Sequence, residues 1–69
     1  MNRTPVQSTN VSSIGYDPTT HTLEVEFSGG NIYQYFDVPQ AINDALMASD
    51  SKGQFLASQI KGNFRYARL

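Results

Sequence analysis

The sequence predicts a small α+β domain in which a three-stranded antiparallel meander is followed by two short helices packed on one face of the sheet. Three observations predict this fold. Residues 22–28 alternate between apolar and acidic side chains, which is the period of a half-buried strand. Gly29-Gly30 joins them to a second strand-like segment, residues 31–36. Beyond residue 38, apolar side chains recur at the spacing of a helix face.

The chain divides into an N-terminal arm and one domain. Residues 1–10 are polar and lack hydrophobic periodicity, so we predict a flexible arm there and a single domain over residues 11–69. Residues 11–17 form the predicted first strand, in which Gly15 marks a bulge or a close backbone approach. Asp17-Pro18 then begins a turn that leads into the second strand.

The Gly29-Gly30 turn determines which side chains share a face of the sheet. A two-residue loop is favoured because both of its central positions need positive φ. In that register Tyr33 and Tyr35 lie on the solvent face beside Glu24 and Glu26. The core face then carries Leu23, Val25, Phe27, Ile32 and Phe36. A three-residue loop would instead place both tyrosines in the core.

Two helices are predicted after the meander. Pro39 suits the first helical position, where its missing N–H costs nothing. The second helix spans residues 51–61, and Gly62 serves as its C-terminal cap. The apolar side chains expected to cover the sheet are Ile42, Ala45 and Leu46 from the first helix and Phe55, Leu56 and Ile60 from the second.

Composition excludes several classes of protein. The 69-residue chain has no cysteine, so neither disulfides nor a cysteine-ligated zinc can stabilise it. No apolar stretch is long enough for a membrane span or a signal peptide, and we therefore expect a cytoplasmic protein. The formal net charge of −1 conceals a basic end, since residues 51–69 hold four of the basic side chains and no acidic one. A basic end of this kind can contact phosphate.

The sequence offers no catalytic constellation. His21 is the single histidine and lies in a turn without a partner for acid–base chemistry. Glu24 and Glu26 have the spacing of a carboxylate pair, but acids on the solvent face of a strand are far more common. Ser12-Ser13 lies in no nucleophile elbow, and Gly29-Gly30 matches no phosphate loop. We predict that the protein is not an enzyme and uses no cofactor or metal.

Tyr33-Gln34-Tyr35 is the feature that indicates binding. Tyrosines at i and i+2 stand on one face of a strand, where two rings can stack unpaired bases. The alternative is packing, because tyrosine is common in strands and pairs well across them. In the two-residue register, Glu24 and Glu26 beside these rings would repel phosphate.

These residues resemble the KTSC domain family, a short module named for the C-terminus of some lysyl-tRNA synthetases and also found as stand-alone bacterial proteins. Its central mark is a Tyr-x-Tyr motif, here Tyr33-Gln34-Tyr35. The other matching segments are Ser13-Ile14-Gly15-Tyr16-Asp17, Leu23-x-Val25-x-Phe27, Gly30, Val38-Pro39, Ser51-x-Gly53-x-Phe55-Leu56 and Ile60-Lys61. Ala57 departs from the pattern, which has a polar residue there. The attachment to a tRNA synthetase implies RNA binding.

We therefore expect a non-catalytic module that binds single-stranded RNA. Tyr33 and Tyr35 would stack bases, and the basic end would contact phosphates through Lys61, Arg65 and Arg68, with Tyr66 between the two arginines. The alternative is a protein interaction or self-association domain that buries the same tyrosine face against itself or another protein. The sequence does not identify the partner.

Overall fold

A computed structural model describes all 69 residues, Met1–Leu69, as one antiparallel five-stranded sheet with two helices on one face. The sheet order follows the chain, β1-β2-β3-β4-β5. The elements are β1 Thr4–Pro5, β2 Val11–Asp17, β3 Thr22–Phe27, β4 Ile32–Tyr35, α1 Gln40–Ala48, α2 Lys52–Phe55 and β5 Tyr66–Arg68, with α2 continuing into a π-helical turn, Leu56–Ile60. The predicted α+β class is confirmed, and two edge strands extend the expected meander.

The N-terminal residues contain β1, although the sequence predicts a flexible arm there. Thr4 pairs with Ile14 and Pro5 with Ser13 at one edge of the sheet. Proline is tolerated in an edge strand because the N–H it lacks is not needed on the outer side. The consequence is that Arg3 lies over the neighbouring strands, where its side chain reaches Glu24.

A bulge in β2 keeps its apolar side chains on one face. The register with β3 shifts between Val11 and Ser13, so that Val11 pairs with Phe27 while Ile14 pairs with Val25. Val11 and Ile14 are three residues apart and would point to opposite faces of a regular strand. One inserted residue corrects this, and both side chains are buried in the core.

The register between β3 and β4 differs from the predicted one. The pairs are Leu23 with Tyr35 and Val25 with Tyr33. The Phe27 N–H donates to the Asn31 carbonyl at 2.8 Å, so the loop has three residues, 28–30. The two-residue prediction is wrong, and both tyrosines lie on the core face instead of beside Glu24 and Glu26.

The physical reason is that the glycine pair does not determine loop length. Gly29 and Gly30 adopt φ of 99° and 95°, and hairpin loops of two or three residues both use positive φ. The observed register buries Tyr35 among core side chains. It also moves Ile32 and Phe36, predicted to be in the core, to the opposite face of the sheet.

The helices cover the middle of the sheet. Pro39 is the N-cap of α1 and lies one position before the first helical position, where the sequence predicted it. The Ser51 hydroxyl caps α2 by accepting from the Gln54 N–H at 3.3 Å, and Gly62 has φ of 82° after the π-helical turn. The buried hydrophobic core consists of Val11, Ile14, Leu23, Val25, Tyr35, Val38, Leu46, Leu56 and Ile60. None of the helices is long and apolar enough to cross a bilayer.

Candidate nucleic-acid interface

A groove lined by aromatic rings opens on the helix side of the sheet, between strands β3 to β5 and the end of the π-helical turn. We call it the aromatic groove. It is lined by Phe27, Asn31, Tyr33, Tyr35, Lys61, Gly62 and Tyr66. Successive residues of a strand alternate between faces, which explains why the odd-numbered side chains of β4 meet here.

The four rings form one packed cluster. Tyr33 and Tyr35 are stacked, with ring centroids 6.3 Å apart and planes inclined by 18°. Tyr66 is the cross-strand partner of Tyr35, and its centroid lies 5.8 Å from that of Tyr33 and 6.1 Å from that of Tyr35. Phe27 meets Tyr33 edge to face at 5.6 Å. These separations are typical of favourable aromatic pairs, which fix the ring positions.

The tyrosines differ in exposure, and this separates their roles. Tyr35 is only 3% exposed, Tyr33 is half-buried and Tyr66 is 63% exposed. Burial, reinforced by the neighbouring Tyr33 and Tyr66 hydroxyls, raises the pKa of Tyr35 above its usual range. Tyr35 therefore supports the groove from below as a neutral ring. Tyr66 and Tyr33 provide the surface that a ligand can reach.

Two cations flank these rings. The Lys61 Nζ lies 5.3 Å from the Phe27 ring centroid, within the range of a cation–π contact. Arg68 is paired with Tyr33 across β4 and β5, and its Nη2 donates to the Asn31 Oδ1 at 2.8 Å. Neither cation has a carboxylate partner, and no acidic side chain lines the groove.

Arg65 is not brought to the groove with the other predicted site residues. Its Nη2 donates to the Asp37 Oδ2 at 2.8 Å, and both side chains are about three-quarters exposed. The Arg65 guanidinium also lies 5.7 Å from the Phe36 ring centroid. The structure therefore gathers Tyr33, Tyr35, Lys61 and Tyr66 in the lining of the groove. Arg68 lies next to the lining, paired with Tyr33 and hydrogen-bonded to Asn31, and Arg65 lies outside it.

The acidic residues of β3 face away from the tyrosines. Glu24 is 6% exposed and accepts hydrogen bonds from Arg3 and from the Gln34 Nε2. Glu26 accepts from the Ser13 Oγ at 3.0 Å. Burial acts to raise the pKa of Glu24, but the hydrogen bonds from Gln34 and Arg3 and the Arg3 charge outweigh it and lower that pKa. The repulsion of phosphate that the sequence led us to expect at the tyrosines is therefore absent.

Sequence reasoning missed three of the groove residues, Phe27, Asn31 and Gly62. The signal for Asn31 was its spacing, since residues 31, 33 and 35 share a face of any regular strand. This spacing holds in either loop register, because Asn31 shares a face with Tyr33 and Tyr35 in both. His21 is exposed in a turn with φ of 56°, and no group of three or more His, Asp or Glu side chains is placed to hold a metal ion.

Comparison with known proteins identifies the family. The model of the KTSC domain matches residues 7–64. The chain belongs to the KTSC domain family. A crystal structure of a KTSC domain protein from Yersinia pestis superposes with a TM-score of 0.93 at 40% identity, covering 99% of this chain and 96% of the other. The resemblance expected from the Tyr-x-Tyr motif and its surroundings is thus confirmed.

KTSC domains occur both as separate proteins and within lysine–tRNA ligases. A protein of Stutzerimonas stutzeri is 41% identical over all of this chain and 99% of its own length. A lysine–tRNA ligase of Nostoc sp. is 44% identical over 86% of this chain, but the match covers 10% of the ligase. The chain thus spans about a tenth of the length of that ligase, so the activity of the ligase does not follow from the match.

Proposed function

We propose that this KTSC domain is a non-catalytic module that binds single-stranded RNA in the aromatic groove. The observation that carries the proposal is the exposed Tyr66 beside Tyr33 in a groove whose lining has no acidic side chain. Lys61 and Arg68 lie beside these rings, and neither has a carboxylate partner. Proteins that bind single strands combine these two elements, aromatic rings for the bases and a positive groove for the backbone.

The rings would hold unpaired bases by stacking. A base stacked on an aromatic side chain contributes roughly 1–3 kcal/mol. Tyr66 offers the most exposed ring, and its contacts with Tyr33 and Tyr35 hold it in place before a ligand arrives. Preorganisation of this kind lowers the entropy lost on binding.

Lys61 and Arg68 would contact the phosphates on either side of the stacked base. Lys61 lines the groove beside Phe27, and Arg68 lies next to the groove, paired with Tyr33 across β4 and β5. Contacts to a single-stranded backbone release counterions, so each should contribute about 0.7 to the slope of log K against log salt. The presence of the domain in lysine–tRNA ligases supports the proposal, because those enzymes act on an RNA. A cytoplasmic location is part of this proposal.

The proposal is tested by fluorescence anisotropy with a labelled, unstructured RNA at two salt concentrations. Tyr66→Ala should weaken binding about five- to hundredfold at both salts, since stacking depends little on counterions. Lys61→Gln should weaken binding and flatten the salt dependence. Arg65→Gln is the matched control, because Arg65 is an exposed cation of the same end of the chain that lies outside the groove. Absence of RNA binding by the wild-type protein at low salt would overturn the proposal.

A second candidate is a protein interaction or self-association domain that uses the same face. The observation in its favour is that Tyr66 and Leu69, at the β5 edge, are 63% and 66% exposed. Large exposed side chains beside an edge strand are typical of sites where another chain adds. Light scattering on the same samples distinguishes the two, because self-association predicts a dimer that Tyr66→Ala converts to monomer.

A further inference from the structure

The polar side chains of the aromatic groove are mainly hydrogen-bond donors, which affects the bases that the groove can accept. Asn31 lines the groove, and its Oδ1 accepts from the Arg68 Nη2 at 2.8 Å. A guanidinium has donors only, so the carboxamide must turn its oxygen to Arg68. The Nδ2 amide NH2 group has no partner within the protein and can therefore donate a hydrogen bond to a ligand.

The other polar side chains of the groove do not supply a fixed acceptor. The Lys61 ammonium is a donor only, and no Asp or Glu side chain lines the groove. The Tyr33 and Tyr66 hydroxyls can donate or accept, so they do not distinguish one base edge from another. The side chains at fixed positions thus present donors and no dedicated acceptor.

We propose that the aromatic groove selects keto bases, uracil and guanine, over amino bases, with Asn31 as the residue that reads the base and Arg68 as its positioning residue. This inference rests on the proposed function. Uracil O4 and guanine O6 are acceptors that match the Asn31 amine. The exocyclic amines of cytosine and adenine meet another donor instead.

Arg68 is central to the selectivity because it blocks the alternative pairing. A free asparagine recognises adenine by offering its oxygen to N6 and its amine to N7. With Oδ1 held by Arg68, that two-bond arrangement is not available to Asn31. An amino group directed at the Asn31 Nδ2 group loses its hydrogen bond to water and gains none from Asn31, which lowers affinity.

The experiment compares oligouridylate with oligocytidylate of equal length at neutral pH, by fluorescence anisotropy at one salt concentration. The two bases are both pyrimidines. They differ at position 4, where one has a carbonyl and the other an amine, and at N3, which carries a proton in uracil only. We expect the wild-type protein to bind the uridylate about three- to tenfold more tightly, the size of one hydrogen-bond difference.

Variants of Asn31 and Arg68 test whether these residues cause the preference for uridylate. Asn31→Asp keeps an oxygen for Arg68 and replaces the amide NH2 group by an acceptor. The ratio of the uridylate affinity to the cytidylate affinity should therefore fall to one or below. The added charge weakens both RNAs alike and cancels in the ratio. Arg68→Ala frees the Asn31 carboxamide to rotate and should also bring the ratio close to one, a change that lost phosphate binding alone would not cause. Arg65→Ala should leave the ratio at the wild-type value.

The outcomes separate this inference from the proposed function. Equal binding of both RNAs by the wild-type protein, or a ratio that Asn31→Asp leaves unchanged, would overturn the keto preference while RNA binding stands. Binding of neither RNA at low salt would overturn the proposed function, and the preference with it.

Discussion

Arg3→Ala should destabilise the domain far more than removal of an exposed ion pair does. The Arg3 guanidinium forms an ion pair with the Glu24 carboxylate, and its Nε donates a hydrogen bond to the Ser13 Oγ at 3.0 Å. The Arg3 and Glu24 side chains are 26% and 8% exposed. Truncation of Arg3 leaves Glu24 buried with the Gln34 amide as its remaining partner.

The magnitude follows from that burial. Breaking a fully buried pair costs about 3–5 kcal/mol, because an uncompensated charge stays in the interior. Arg3 is partly exposed and Glu24 keeps one hydrogen bond, so we expect a loss of about 1–3 kcal/mol. A chain of 69 residues has a free energy of unfolding of roughly 3–10 kcal/mol. The variant should therefore lose a substantial part of its stability and remain mostly folded.

The assay is urea denaturation of Arg3→Ala beside Arg65→Ala. The Arg65–Asp37 pair has side chains 77% and 75% exposed, and exposed pairs contribute only about 0–1 kcal/mol. The two variants lose the same charge and differ in the burial of the partner. If Arg3→Ala lowers the free energy of unfolding no more than Arg65→Ala does, Arg3 does not stabilise Glu24 in the folded protein in solution. That result would refute the expected loss.

The same pair predicts a pH dependence. The pKa of Glu24 lies below its ordinary value of 4.5 in the folded protein. A lowered carboxyl pKa contributes stability that is present above the unfolded value and is lost as pH falls through the folded one. The melting temperature should therefore drop on acidification below about pH 4.5, and less steeply in Arg3→Ala. An identical acid slope in both proteins, measured by circular dichroism, would contradict the role of Arg3.

Three further predictions concern the core, the sheet and the groove. Leu46 is fully buried, so Leu46→Ala should cost about 2–5 kcal/mol in urea denaturation, whereas the exposed neighbour Met47→Ala should cost little; similar losses would contradict the placement of α1. A Cβ at Gly15 would lie 2.7 Å from the Asn2 carbonyl oxygen, so Gly15→Ala should release the N-terminal residues and raise the amide exchange of Val6, whose N–H donates to the Ser12 carbonyl oxygen. Unchanged protection of Val6 would contradict the packing of the N-terminal residues. Tyr35→Ala should destabilise the fold while Tyr66→Ala leaves the melting temperature nearly unchanged, since the two rings are 3% and 63% exposed; equal losses would show that Tyr66 also supports the core.

Local patterns predicted most of the secondary structure. Strict alternation over residues 22–28 predicted β3, and helical spacing around Leu46 predicted α1. The Gly62 position at the end of the second helix was predicted because it depends on residues within one turn of the chain. These features need no information about distant contacts, which is why a single sequence was enough to find them.

The candidate site was predicted in composition but not in geometry. The Tyr-x-Tyr motif and the basic end were both visible in the sequence. Four of the six expected residues line the groove, and Arg68 lies beside it through its pairing with Tyr33. Their face was wrong because one residue of loop length reverses every side chain of a strand. Arg65 and Arg68 looked equivalent, and only the pairing of β5 with β4 showed which of them lies beside Tyr33.

The sequence by itself determined the α+β class, strands β2 to β4, the positions of the two helices, and the residue types available for binding. The tertiary structure alone decided three matters: the loop register that turns Tyr35 into the core, the edge strand that brings Tyr66 and Arg68 to β4, and the pairing of Arg3 with Glu24. Each depends on contacts between segments far apart in the chain. Their free energies are set by burial and by charge pairing in the assembled fold, so no local pattern records them.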